Sequence, residues 1–487
     1  MTKSPGQRTR TYDVAFDLVL PSGEELAPPG CRTEETSQAW EATYVDTADL
    51  ALHAQRVTLQ RRQDETGTEW SLRARGGKGN VDARFPAGSE TDVPAEASVL
   101  LAGVSLAGPL TPVAIVRHRR RTLRLLGPGD EPVLEVTDDL VHATALGDRA
   151  VLSEWRELQL IAGAGDEDLL LTNGQHLESL GALPSTTTGD LSRSVGGPDR
   201  PDPDQSDTSR VVGRFVRKQC HAVSAGDVAL RHGLDSVHET RVAVRRLRST
   251  LRVFAPIFEA SDARALDLDL AWYAALLGAV RDREVQRARL ADAVAALPAE
   301  LVLGPVAAHI DDHLRAQQSF HHAALMRAID GARYRALLCS LVAWAGRPPY
   351  ADTLDEPDLL TRRARKAGRT ATARLAAALD AGDPNVALHR ARKAAKRARY
   401  SAELTKPLGV KKTKARIRHF KAVQDTLGAH QDSVLAARLL RLLGAAAGTT
   451  QGHNGFTYGL LFAREMRAAE DARAAAAMLN QRPGRSV

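Results

Sequence analysis

Residues 238–248, HETRVAVRRLR, and residues 389–399, HRARKAAKRAR, share one charge pattern and decide the fold of the second half of this chain. In both segments a histidine is followed by a basic residue at the third, seventh, eighth and tenth positions. A second motif recurs as LGAVRD at 277–282 and as LGAHQD at 427–432. Offsets of 151 and 150 residues for two separate motifs indicate an internal duplication. We therefore expect an all-α domain of two similar helical bundles packed as pseudo-symmetric halves.

The spacing within each copy places a histidine and three basic residues on one stripe of a helix. Like charges at such spacings repel one another. For a single arginine two explanations stay open: a solvated or ion-paired structural role, with Asp282 and Asp432 as partners, or contact with an anionic ligand. For the repeated array as a whole we favour a ligand, and we expect both aspartates to be structural rather than catalytic. The two stripes are His238, Arg241, Arg245, Arg248 and His389, Arg392, Lys396, Arg399.

The pattern of secondary structure changes near the middle of the chain. Short β-rich segments bounded by turn residues predict strands at 11–20, 39–47, 56–62, 68–75, 120–126, 131–141 and 150–161. Long Ala/Leu/Arg-rich segments predict helices at 209–230, 236–256, 262–297, 300–328, 332–345, 359–381, 385–405, 411–443 and 455–480. The Pro/Asp-rich stretch between them predicts a linker. We expect a β domain at 1–194, a linker at 195–209 and a helical domain at 210–487.

Charge is divided unevenly between these parts. Residues 211–487 carry 45 Lys and Arg against 26 Asp and Glu, a net charge of +19, whereas residues 1–210 carry 21 against 33, a net charge of −12. Such a division indicates that the C-terminal domain meets a polyanion. In the β domain, Thr58, Gln60 and Arg62 share one face of a predicted strand. This alternation indicates either a barrel with a polar interior or a sheet with one solvated face.

Several classes of protein are disfavoured by the sequence. No run of eighteen apolar residues exists, so we expect no membrane span. The first residues lack the apolar core of a secretory signal. The 3 cysteines lie far apart and form no metal-binding pattern, which is typical of a reducing compartment. We therefore expect a cytoplasmic protein.

The duplicated motifs resemble a CHAD domain over residues of about 210 to 480. The resemblance implies a helical domain of two four-helix-bundle-like halves, whose basic surface, together with its histidines, binds inorganic polyphosphate. It thereby makes polyphosphate granules a candidate location within the cytoplasm. Carried over position by position, it predicts the following polyphosphate-binding residues: His238, Arg241, Arg245, Arg246, Arg248, Arg281, His389, Arg392, Lys393, Lys396, Arg397, Arg399, Lys411, Lys412, Lys414, Arg416 and Arg418.

The N-terminal half resembles a CYTH domain, through YVDT at 44–47, the strand beginning RVTL at 56–59, and WSLR at 70–73. The resemblance implies an antiparallel β-barrel of the triphosphate-tunnel type, whose bore binds phosphates through basic side chains and Mg²⁺ or Mn²⁺ through glutamates. It predicts weak phosphate contacts from Arg62, Arg73, Arg119 and Arg121.

This sequence departs from the family's metal-binding pattern. Thr11, Asp13 and Ala15 stand where the family has its ExExK signature, and Gln159 and Ile161 follow Glu157 where the family has further glutamates. A hard divalent cation needs several carboxylates. The vestigial metal candidates are Asp13, Glu135, Asp138 and Glu157. We expect that no cofactor is required and that Mg²⁺ or Mn²⁺ would matter only if the β domain were active.

Three functions remain in competition. The favoured one is a polyphosphate-binding protein without catalysis. The second is a metal-dependent tripolyphosphatase whose basic domain captures the polymer. The third is a binder of nucleic-acid phosphates, which we disfavour because the basic face lacks interleaved aromatic residues for base stacking.

Overall fold

The computed structural model describes residues 8–28, 30–75, 80–86, 92–147, 149–162, 167–185, 189–196, 206–356, 358–382, 384–449 and 454–481. These residues form two compact units, the first within 1–74 and 81–200 and the second within 75–80 and 201–487. The first unit is built on an antiparallel sheet and the second is helical, which confirms the predicted change from strands to helices. Most of the predicted linker, residues 197–205, lies outside the described residues.

The sheet of the first unit contains nine described strands. They pair antiparallel in the order β5-β4-β3-β2-β6-β7-β8-β1-β9. The described edge strands β5 and β9 do not pair with each other, so the described strands form an open sheet rather than the expected closed barrel. Closure needs a ladder between the two edges, and β9, with only two residues, pairs with β1 instead. The strands are β1 Arg8–Val14, β2 Arg32–Asp46, β3 Val57–Asp64, β4 Gly67–Ala74, β5 Val81–Pro86, β6 Thr111–Leu126, β7 Pro132–Ala145, β8 Val151–Ala162 and β9 Leu183–Pro184.

Two short strands of this unit, β5 and β9, were not predicted, and neither were its described helices or the first halves of β2 and β6. The sequence shows strict alternation in β5, where Val81 and Ala83 are buried, but six residues are too few to separate a strand from a loop by pattern alone. The helices of this unit are α1 Gly23–Leu26, α2 Ala51–Ala54, α3 Ala95–Leu101, α4 Glu167–Ser179 and α5 Asp190–Val195.

Alternation along the strands gives the sheet two different faces. On the first, here called the α4 face, Tyr12, Leu158 and Leu160 pack with Leu170 and Leu177 of α4. On the second, called the α5 face, an apolar patch that includes Tyr44 and Val141 packs against Leu191 of α5. The rest of the α5 face is polar, as the alternation around Arg62 predicted.

Nine described helices build the second unit, and each overlaps one of the nine predicted segments. They are α6 Asp207–Arg231, α7 Val237–Val253, α8 Ala260–Ala295, α9 Val306–Ile329, α10 Ala332–Gly346, α11 Leu359–Leu379, α12 Pro384–Thr405, α13 Thr413–Gly448 and α14 Phe456–Gln481. None of the described helices combines the length and apolarity needed to cross a membrane.

Two helix starts differ from prediction for local reasons. Helix α6 begins at Asp207 because the Ser206 hydroxyl caps it by accepting a hydrogen bond of 3.3 Å from the Ser209 amide. Helix α9 begins at Val306, six residues later than predicted. The chain before it forms a 3₁₀ turn at Ala299–Leu301 and reaches a φ of 82° at Gly304, so it cannot continue as a helix.

The duplication is visible in the order and packing of the helices. Helices α7 and α8 follow one another as α12 and α13 do, and α8 and α13 each have 36 residues. Both pairs pack internally, and α7 also packs against α12. A buried core that includes Leu290, Ile310, Leu440 and Leu461 joins α8, α9, α13 and α14. The helices that carry the two histidine motifs therefore lie side by side.

Candidate functional site

The two basic stripes converge where α7 meets α12. Lys396 lies close enough to Arg245 and Arg241 for each to lower its pKa, and Arg392 likewise lowers the pKa of Arg245. The 151-residue offset makes Lys396 the counterpart of Arg245 and Arg392 the counterpart of Arg241. The neighbours Arg245 and Arg392 therefore correspond to the neighbours Lys396 and Arg241, as expected if a two-fold axis relates the two copies. We call Arg241, Arg245, Arg392 and Lys396 the central cluster.

The central cluster holds more positive charge than its carboxylates neutralise. Arg241 pairs with Asp282 at 2.8 Å, as predicted. Within the described part of the chain, Arg245, Arg392 and Lys396 have no ion pair, and the Nε atoms of both arginines are buried without a hydrogen-bond partner. Burial, reinforced by the neighbouring arginines, lowers the pKa of Lys396 to about 6. Burial also lowers the pKa of Arg245.

A glycine of each LG motif makes room for one arginine of the cluster. A Cβ atom on Gly428 would lie 3.0 Å from Nη2 of Arg392, and one on Gly278 would lie 3.5 Å from Nη2 of Arg241. Each guanidinium therefore rests against the bare backbone of the following helix. The repeated motif is visible in the sequence, but this role appears only when the helices are packed.

The two histidines occupy different surroundings. His238 is exposed. His389 is partly buried and its Nδ1 lies 3.1 Å from Oε1 of Gln431. Burial, together with Lys393 and Arg392, lowers the pKa of His389. The equivalence of the two histidines in the sequence is therefore not maintained in their environments.

Several predicted site residues are neutralised within the helical unit. Arg248 pairs with Asp267 at 3.0 Å. Glu403 accepts from Arg399 at 2.9 Å and pairs with Arg246 at 3.1 Å. Arg281 pairs with Glu284 one turn away. For these four arginines the ion-paired alternative describes the structure. In the central cluster it describes Arg241, but it does not describe Arg245, Arg392 or Lys396.

The remaining predicted cations lie outside the central cluster. Arg397 lines a separate pocket between helices. Arg416 is partly buried, and burial together with Arg365 lowers its pKa. The exposed ones are Lys393, Lys411, Lys412, Lys414 and Arg418.

In the first unit the register corrects the predicted set of phosphate-binding arginines. Arg62 lies opposite Ala42, which lies opposite Val116, so Arg62 shares the α5 face with the even-numbered residues of β6. Arg119 and Arg121 therefore lie on the α4 side, and Arg120 joins Arg62 instead. Neighbouring residues of a strand lie on opposite faces of the sheet. In a run of three arginines the sequence alone does not tell which of them lies on the α5 face.

The arginines of the α5 face are already paired. Arg62 and Arg120 lie over the ring of Trp40, at 4.3 and 5.0 Å from its centroid. Arg62 pairs with Asp64 at 3.3 Å and Arg120 with Asp139 at 2.6 Å. Arg73 pairs with Asp82 at 3.6 Å. A cavity of about 1190 Å³ opens where β2 extends beyond β3, and it is lined by Arg62, Arg119, Arg120 and Arg121 together with Asp64 and Asp138.

The vestigial metal carboxylates do not form a metal site. Asp13 and Glu157 are paired in register, but the guanidinium of Arg193 in α5 binds Asp13 and lies 3.4 Å from Glu157. Burial raises the pKa of Glu157, and Arg193 opposes this effect. Within the described ranges no three His, Cys, Asp or Glu side chains could hold a metal ion. The residues present therefore fit an internal guanidinium better than Mg²⁺ or Mn²⁺.

The other two metal candidates are also engaged. Glu135 pairs with Arg124 at 3.0 Å, and Asp138 pairs with Arg156 at 2.8 Å. Asp138 lies opposite Leu158, so it is on the α4 side and cannot join Asp13. The prediction that grouped these four carboxylates is corrected by the register.

Helix α5 contributes functional groups that the sequence did not reveal. Besides Arg193, Asp190 accepts a hydrogen bond of 2.9 Å from the Tyr44 hydroxyl and lies 3.3 Å from Nε2 of His118. A helix of six residues is too short for a periodic signal, and its partners lie far away in the sequence.

Comparisons with known proteins agree with the helical architecture. A family model described as CHAD domain matches residues 214–441. Two proteins of Mycobacterium tuberculosis, the uncharacterized proteins MT2285 (strain CDC 1551 / Oshkosh) and Rv2226 (strain ATCC 25618 / H37Rv), are each 31% identical over 493 residues, covering 95% of this chain and 93% of each relative. The solved structure of PptA from Streptomyces chartreusis matches with a TM-score of 0.50 and 20% identity, covering 57% of this chain and 100% of that one, and shows a shared fold.

Proposed function

The chain contains a CHAD domain and belongs to one family with the two mycobacterial proteins, and from this premise we propose that its helical unit binds inorganic polyphosphate. The polymer carries about one negative charge per phosphate along its length, so it suits a surface on which cations are spaced along two adjacent helices. Binding would release counterions and weaken with salt, by analogy with nucleic acids.

The observation that carries the proposal is the unneutralised central cluster. Arg245, Arg392 and Lys396 come from both copies of the duplication, and no described carboxylate lies within ion-pair distance of any of them. Asp432, the predicted partner, acts on Arg392 and Lys396 only from beyond that distance. For the two arginines, which stay charged, a structural role alone would call for ion pairs of the kind seen at Arg248 and Arg399. An anionic ligand would supply the missing charge and would give the buried Nε atoms an acceptor.

We further propose that the first unit is a degenerate triphosphate-tunnel-like sheet that does not hydrolyse phosphoanhydrides. Arg193 lies between Asp13 and Glu157, where a metal ion would have to bind. The arginines of the α5 face form ion pairs with aspartates, as Arg120 does with Asp139. The pseudo-symmetry of the two halves of the helical unit belongs to the same proposal.

The test is a titration of the full-length protein with long-chain polyphosphate at low and at physiological salt, without metal. Arg245→Gln and Lys396→Gln should each weaken binding by about ten- to a hundredfold if the lost contact is well formed. The matched control is Arg315→Gln, which removes an exposed arginine already paired with Asp311. Wild-type affinity in both cluster variants, with unchanged helicity, would refute the proposal.

The same titration separates the competing polyanion. Double-stranded DNA added as competitor should not displace the polyphosphate at equal phosphate concentration. Displacement by DNA would favour the nucleic-acid function instead.

A further inference from the structure

A second basic site lies between α7, α11 and α12. A pocket of about 160 Å³ is lined there by nine residues, of which five are cationic and none is acidic. The cations are Arg252, Arg363, Lys366, Arg374 and Arg397. Since a water molecule in the liquid occupies about 30 Å³, the pocket has room for a small anion.

This pocket is distinct from the central cluster. Arg397 follows Lys396 directly and is therefore turned by about 100° around the axis of α12. Helix α11 supplies Arg363, Lys366 and Arg374, and none of them belongs to the duplicated stripes.

Few of its cations are neutralised. Arg252 pairs with Asp267 at 2.8 Å, and Arg363 donates to the carbonyl oxygen of Val253 at 2.8 Å. Lys366, Arg374 and Arg397 have no hydrogen bond or ion pair with the part of the chain that the structure describes. Burial, and next the guanidinium groups of Arg252 and Arg374, lower the pKa of Arg397.

The duplication shows what is missing from the pocket. The 151-residue offset relates Arg246 to Arg397 and Arg252 to Glu403. In one place Arg246 of α7 is paired with Glu403 of α12 at 3.1 Å. In the equivalent place Arg397 of α12 meets Arg252 of α7, so an arginine stands where the other copy has the neutralising carboxylate. Asp267 of α8 pairs with Arg252 and acts on Arg397 only from beyond ion-pair distance. Arg397 therefore lacks the ion pair that its counterpart Arg246 has with Glu403.

From this broken symmetry we propose that the pocket between α7, α11 and α12 binds a phosphoryl anion. The planar guanidinium forks of Arg374 and Arg397 suit phosphate oxygens. The anion is either a free small phosphate compound or a segment of the polymer chain, and the second source rests on the proposed function.

The experiment uses inorganic pyrophosphate as the probe and follows binding to the full-length protein by calorimetry. Wild type should bind, and Arg374→Gln should weaken binding by about ten- to a hundredfold. Arg252→Glu should abolish it, because the new carboxylate reproduces the Arg246–Glu403 pair and occupies the pocket from within. Asp267 keeps Arg248 as its partner in this variant. The control is Arg362→Gln, next to Arg363 in the chain but paired with Glu356 at 2.9 Å, which should bind pyrophosphate as wild type does.

The proposal that the pocket binds an anion is refuted if wild type and Arg252→Glu bind pyrophosphate with equal affinity, or if wild type does not bind it. Arg374→Gln covers the case in which Arg252→Glu fails to fold, and circular dichroism reports folding of both. If long-chain polyphosphate binds but pyrophosphate does not, the anion site in the pocket is refuted and the proposed function stands. If pyrophosphate binds but long-chain polyphosphate does not, the anion site stands and the proposed function is refuted. If pyrophosphate binds and long-chain polyphosphate competes with it, the pocket binds a segment of the polymer. If the polymer does not compete, the pocket binds a free small anion.

Discussion

The Lys396 ammonium group lies in surroundings that oppose its charge. Its pKa falls from the usual 10.5 to about 6 because the side chain is partly buried and Arg392, Arg245 and Arg241 lie nearby, an effect that Asp432 opposes. At neutral pH the free protein therefore holds much of this lysine uncharged. A polyanion in contact with Lys396 would favour the charged form and would raise its pKa toward the usual value.

We therefore expect polyphosphate binding near pH 7 to take up a proton and to strengthen as the pH falls from 8 to 6. The measurement is the binding enthalpy in two buffers of different ionisation enthalpy. Lys396→Met should remove most of the uptake while Arg315→Gln keeps it. Uptake of equal size in Lys396→Met would assign the proton to another group, such as His389.

The same shift affects the stability of the free protein. Between about pH 6 and 10.5 the unfolded chain holds a proton on Lys396 that the folded chain does not. The free energy of unfolding should therefore rise with pH across this window through the contribution of this group. Thermal melts of Lys396→Met should show a smaller rise than those of wild type, and equal curves would contradict the assignment.

Arg193 acts as an internal counterion in the first unit. In Arg193→Gln, Asp13 and Glu157 would face each other with no cation between them. We expect a loss of roughly 1–3 kcal/mol in the free energy of unfolding. The loss should be larger at pH 8 than at pH 5, because protonation of Glu157, whose pKa burial already raises, relieves the repulsion.

Calorimetric melts at both pH values measure this effect. Arg117→Gln is the control, since its side chain is 70% exposed and its pair with Glu41 contributes little. An equal loss for Arg193→Gln at both pH values would mean that packing over Trp155, rather than charge, gives Arg193 its role.

At the scale of helices, the contact of α6 with α7 depends on Gly226. A Cβ atom there would lie 2.0 Å from Oγ1 of Thr240, whose hydroxyl is buried and donates to the Ser236 carbonyl at 2.8 Å. Threonine is stiff at χ1, so the two helices would have to separate. Gly226→Ala should lower the free energy of unfolding by about 1–3 kcal/mol.

Gly459 provides the matched control within α14. No atom lies within 4 Å of its added Cβ, so Gly459→Ala should stabilise the protein by roughly 0.5–1 kcal/mol. Urea titrations of both variants, followed by circular dichroism at 222 nm, measure the difference. A neutral Gly226→Ala would show that the helices adjust without cost.

At the scale of the whole molecule, the net charge of +19 in residues 211–487 should make the affinity for polyphosphate fall steeply with salt. The logarithm of the binding constant should decrease linearly with the logarithm of the salt concentration. Arg245→Gln and Arg392→Gln, one in each copy, should each lower the slope by about one unit. If only one of the two substitutions changes the slope, the polyphosphate polymer contacts one copy of the duplicated motif and not both.

The sequence by itself determined the large divisions of this protein. The duplicated motifs, the periodic helices and the change of charge are signals carried by neighbouring residues or by exact repeats. They predicted the helical unit, the position of its nine described helices and the CHAD resemblance, because helix formation and repetition are readable locally. The sequence pattern did not predict short elements such as α5 and β5.

Only the tertiary structure decided which charges are free. Arg248 and Arg245 look alike in the sequence, yet Asp267 neutralises the first, and no described carboxylate pairs with the second. Arg193 reaches Asp13 across 180 residues of chain, and one step of strand register separates Arg120 from Arg119. The environment of a charge depends on groups that folding brings from distant positions. A pattern of basic residues therefore marks a region, and packing selects the residues within it that remain available to a ligand.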